Sequence, residues 1–97
     1  MTPAQLKASA QTDPQPTVGL SREAQSLWFI KKGDWEAAHN IAQDIETPIV
    51  SWLHALLHLI EGDLGNARYW FVEAGRPVKK PSQSDELWDE IAEEVLN

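Results

Sequence analysis

His54 and His58 lie four residues apart in the run SWLHALLHLIEGD, Ser51 to Asp63. On a helix that spacing sets the two imidazoles one turn apart and about 40° apart around the axis, and Glu61 extends the line. Two such histidines can ligate one zinc ion. HALLH lacks the glutamate that zinc proteases place beside the first histidine, so a third ligand has to come from Glu61 or from His39 in the preceding segment. Ser51 and His54 could pair as nucleophile and base, but no acid partner or oxyanion donor can be identified. The other positions, Ile49, Trp52, Leu53, Leu56, Leu57, Leu59 and Ile60, are core-like. The histidines are therefore expected to be structural, partly buried against Ala67, Arg68 and Phe71 of the next segment. Buried imidazoles need hydrogen-bond partners, and Glu61, Asn66, Arg68, Tyr69 and Glu73 are candidates. No metal and no cofactor are expected. The competing expectation is a small-molecule or metal-binding cluster of His39, His54, His58 and Glu61.

The chain that must position these side chains is short. Its 97 residues allow one domain, and 42% hydrophobic with 24% charged residues is globular composition. It has no cysteine, which excludes thiolate chemistry and disulfides and fits a reducing cytoplasm, the expected location. A net charge of −7 repels phosphate backbones and argues against nucleic acid. No segment approaches the ~20 apolar residues of a membrane span, and the first twenty residues lack the apolar run of a signal peptide. Pro3, Pro14, Pro16 and Gly19 among small polar residues predict a flexible arm over 1–20, ahead of a single domain over 21–97.

Within that domain the pattern is helical. Ser21 caps REAQSLWFIKK, Gly33 ends it, and Asp34 caps WEAAHNIAQDI. Thr47-Pro48 opens IVSWLHALLHLIE, Gly62 stops it, and Asp63 caps LGNARYWFVEA up to Gly75. Ser82 or Ser84 opens the last helix. Its apolar side, Leu87, Trp88, Ile91, Ala92, Val95 and Leu96, opposes a run of Asp and Glu expected to face solvent.

The chain also overlays on itself. A shift of 29 residues brings Gly33-Asp34 onto Gly62-Asp63, Ala38 onto Ala67 and Pro48 onto Pro77. Each unit is helix, Gly-Asp turn, helix, with a small residue where the two helices approach. KKGDWEAAHNIA and IEGDLGNARYWF resemble the middle of tetratricopeptide repeats, and Ala67-x3-Phe71 matches the second-helix element of that family. The two units are shorter than the usual 34 residues or so, and His54-Ala55 and His58 stand at the first-helix signature positions. The chain is also similar to small uncharacterised bacterial proteins. The resemblance implies an all-α fold of two stacked antiparallel hairpins, Ser21–Glu46 and Thr47–Gly75. The helix Ser84–Leu96 should cap the exposed end of the second. It further implies a non-catalytic module that binds another protein or self-associates. The five tryptophans are expected mainly in the core. Trp28, Trp52 and Trp70 are the first candidates for a docking surface, because tryptophan is enriched at interaction hot spots.

Overall fold

A computed structural model describes residues 1–96. The helices are α1 (Pro3–Thr12), α2 (Arg22–Lys32), α3 (Trp35–Gln43), α4 (Ile49–Glu61), α5 (Leu64–Ala74) and α6 (Ser84–Val95), with a 3-10 turn, Pro81–Gln83, leading into α6. The described residues contain no strand.

The two hairpin joints are built alike. Gly33 and Gly62 end α2 and α4 with φ of 93° and 86°, a left-handed conformation that costs a side-chain-free residue little. The next residue in each case, Asp34 or Asp63, accepts a hydrogen bond from the amide of Ala37 or Asn66 and starts the following helix. A two-residue joint leaves the helices no choice but to pack antiparallel. Ala38 and Ala67 are buried in these pairs, as their small size predicts. In the first hairpin the buried Ser26 hydroxyl donates to the Ala38 carbonyl at 3.0 Å, so a polar group is satisfied inside the contact. The α2/α3 and α4/α5 hairpins then stack through α3 against α4 and α2 against α4.

The last helix is helical over nearly the expected span but docks differently. It lies across α4 and α2 and also touches α1, rather than over the end of the second hairpin. Leu87, Trp88, Ile91 and Ala92 are buried there, and the Trp88 indole N–H donates to the Leu27 carbonyl at 2.9 Å. At its far end both carboxylate oxygens of Glu94 accept from one guanidinium nitrogen of Arg76, Nη2, at 2.8 and 2.7 Å, and that guanidinium lies 3.9 Å from the centroid of the Trp52 ring.

The expected flexible arm over 1–20 needs correction. Residues 3–12 form α1, which packs on α2 and α6. Thr2 and Gln5 form a reciprocal capping box with Pro3 in the first turn, so the proline starts the helix rather than breaking it. Leu6 and Ala10, one turn apart, are fully buried. Ser9 accepts the Trp28 indole N–H at 3.0 Å, and Lys32 donates to the Asp13 carbonyl at 2.7 Å. Two apolar residues at helical spacing and a tryptophan needing an acceptor outweigh the polar composition. Beyond α1 the chain runs irregularly to Ser21, and Leu20 packs on the core. No helix is long and apolar enough to cross a membrane among the described residues.

Candidate functional sites: a histidine cluster and an uncovered helix face

The chain has three histidines, and all three meet. One nitrogen each from His39, His54 and His58 can be chosen so that the set lies within 4.8 Å of one another. His39 comes from α3 and the other two from α4, so the cluster sits between the hairpins rather than within the second one. The i, i+4 spacing supplies the α4 pair, and the α3–α4 stack supplies the third ring. Ring centroids are 5.5 Å apart for His39 and His54, 5.9 Å for His39 and His58, and 6.1 Å for His54 and His58.

Each ring has a support of its own, and Trp35 touches two of them, lying 6.3 Å from His58 as well. His39 stacks on Trp35 at 4.7 Å, and the Trp35 indole N–H is anchored on the Leu57 carbonyl at 2.7 Å. His54 stacks on Trp70 of α5 at 4.5 Å. His58 Nδ1 is held by the Glu61 carboxylate at 2.5 Å. His54 and His58 are 9% exposed and His39 is partly buried, so the cluster reaches the surface at its edge. Burial, reinforced by the neighbouring His39 and His58, pushes the pKa of His54 from the ordinary 6.5 down to about 4. At neutral pH that ring is an uncharged imidazole with one nitrogen lone pair to give.

The expected hydrogen bonding is realised only in part. Glu61 is the partner of His58, while His54 Nδ1 is buried with no hydrogen-bond partner among the described residues. Asn66 is occupied instead with capping α5 through Asp63. A cleft of about 360 Å³ between α2, α4 and α6 includes none of the three histidines. Asp63 also approaches His58 and Glu61 closely enough to form a second, more exposed group of potential ligands.

The tryptophans divide by role. Trp28 and Trp52 are 1% and 5% exposed, so the docking surface expected of them is not available: their area is used by the core. Trp70 is partly buried and spends one ring face on His54. Other apolar residues of α5 are exposed. Leu64, Tyr69 and Val72 are 54%, 55% and 69% exposed; Tyr69 and Val72, three residues apart, turn away from the buried Ala67 and Phe71, whereas Leu64 lies on their side, beside Ala67. Sequence reasoning missed two parts of this arrangement. Trp35 sits four residues before His39, a spacing that marks a stacked pair. The α5 strip was hidden because its apolar residues surround the helix instead of keeping to one side. Set against protein-family models, curated proteins and solved structures, the chain finds no match in any of the three.

Proposed function

We propose that the chain is a non-catalytic helical-hairpin module that binds a partner protein through the outer face of α5. The observation that supports this reading is the placing of α6. It covers the α2 and α4 sides, so Tyr69 and Val72 on the outer side of α5 keep more than half of their surface in water. Single exposed apolar residues are ordinary, but neighbours along one helix face have the pattern of helix-on-helix recognition. The resemblance of the Gly-Asp units to tetratricopeptide repeats points the same way, since this is the side on which a further hairpin would stack. Arg68 and Glu73 flank the strip and enter none of the ion pairs among the described residues. The occupant that fits is an apolar helix of the partner carrying an acid and a base at its rim.

The test places a photoreactive residue at position 72 and irradiates the chain in the cells that express it. Val72 is exposed, so the replacement leaves the fold intact. The expected result is a crosslinked protein species that disappears when Tyr69→Asp is added, with helicity unchanged by circular dichroism. A crosslink insensitive to Tyr69→Asp, or no crosslink, refutes the reading. A crosslink to a second copy of the chain replaces the foreign helix with self-association.

A further inference from the structure

We propose that His39, His54 and His58 form a zinc site that pins the first hairpin to the second. Three observations converge on it. The chain contains three histidines, and the fold brings every one of them to a single point from two different helices. The rings gain little from one another there, since no hydrogen bond links any two of them among the described residues and the buried His54 Nδ1 has no partner. Each ring is also held by a neighbour: Trp35 stacked on His39, Trp70 stacked on His54, and the Glu61 carboxylate on His58 Nδ1. A carboxylate on the far nitrogen of a ligating histidine fixes its tautomer, orients the ring and raises its basicity. With Nδ1 engaged by Glu61, Nε2 is the His58 nitrogen that turns to the metal.

The geometry suits a tetrahedral ion after a small closure. Zinc–nitrogen bonds of about 2.0–2.1 Å put neighbouring ligand nitrogens about 3.3 Å apart. The three nitrogens lie within 4.8 Å, so the rings need to draw in by at most about 1.5 Å. An all-imidazole set in a chain without cysteine favours zinc, copper(II) or nickel over metals that prefer thiolate or all-oxygen shells. Three nitrogen ligands leave the fourth position of a tetrahedral ion to water or to a small external anion, reached from the partly exposed His39 edge. Because the ligands come from α3 and α4, binding joins the two hairpins and stabilises the native state by mass action.

The experiment uses the full chain without a polyhistidine tag, stripped with a chelator and titrated with zinc in competition with a chromophoric chelator. Cobalt(II) serves as a spectroscopic stand-in. The expected result is one equivalent of zinc and a raised melting temperature, with cobalt absorption of four-coordinate intensity. His39→Ala abolishes all three. Glu61→Gln weakens affinity by about 10–100-fold, as losses of such outer carboxylates do. His39 is partly exposed, so its alanine variant is expected to fold; should it not, His58→Gln carries the same comparison. Folded wild-type protein that takes up no zinc at micromolar free metal overturns the proposal. Uptake that survives intact in His39→Ala also overturns it and marks an adventitious ion only.

Discussion

Replacing Trp88 with alanine takes the largest side chain out of the contact between α6 and the hairpins. The ring is 1% exposed, and its indole N–H is spent on the Leu27 carbonyl. A buried tryptophan carries about 150–250 Å², which at about 25 cal/mol per Å² is worth about 4–6 kcal/mol. The hydrogen bond adds about 1 kcal/mol. Alanine keeps a methyl group, and the side chains of Lys7 and Lys31, which already lie over the ring, can settle into part of the space. The net cost is therefore about 3–5 kcal/mol, the usual range for truncating a buried aromatic residue. A chain of this size has about 5–15 kcal/mol in all, so the variant loses a large share of it. With a urea slope of about 2 kcal/mol per molar the midpoint moves down by about 2 M. Trp88→Phe restores most of the area without the donor and should cost about 1–2 kcal/mol. The assay is urea unfolding followed by far-UV circular dichroism at neutral pH. A loss below about 1 kcal/mol for the alanine variant would refute the docking of α6 through Trp88.

Ser9→Ala leaves the Trp28 indole N–H without its acceptor and should cost about 1–2 kcal/mol; amides of residues 6–12 that exchange as fast as a free peptide in the wild type would contradict the docking of α1 altogether. In the metal-free protein, His54 has a folded pKa of about 4 against 6.5 unfolded, so the unfolded chain binds more protons. Its contribution is fully present above about pH 6.5 and is lost as pH falls toward 4, by at most about 3 kcal/mol at 1.36 kcal/mol per unit. Urea melts across that window should flatten in His54→Gln, and an identical pH slope in the two proteins would be the failing result. Arg76→Ala removes the ion pair with Glu94 and the cation over Trp52, both partly exposed, and should cost about 1 kcal/mol. Arg76→Lys should recover part of it, because one nitrogen makes both contacts with Glu94 but an ammonium group stacks less well on the Trp52 ring; no recovery in the same melts would show that only the planar guanidinium serves.

Periodicity and punctuation made the hairpins legible. Gly33-Asp34 and Gly62-Asp63 carry their own explanation, a left-handed stop followed by a carboxylate cap, and both joints form as that chemistry demands. α6 was legible as a helix because its apolar and acidic residues separate cleanly. Its seat was not, because Leu27 and Trp88 are 61 positions apart and nothing in either segment names the other. The docking of α1 is not legible in composition, which averages over the arm, because it rests on a few contacts: Leu6, Ala10 and Ser9. The histidines show the same division. The α4 pair and its line to Glu61 follow from local spacing, and His39 is a possible third ligand on residue type alone. That His39 closes the cluster depends on how one hairpin stacks on the other, which local spacing does not encode.

Helix α1 rests against α6, with Lys7 and Asp89 joined at 3.1 Å across 82 positions of chain (89 − 7 = 82). The hairpins are local structures and can form as soon as their own residues are available, but the hydrophobic centre they share with α1 and α6 cannot. Helix α1 can settle on α2 once that helix is made, through Ser9 and Trp28, but its contact with α6 waits for the stretch up to Val95. Local contacts are thus available first, and those that join α6 to α1, α2 and α4 come last. Nascent chains halted before α6 emerges would display the faces of α2 and α4 that it later hides, which makes that interval the one in which this small protein most needs a chaperone.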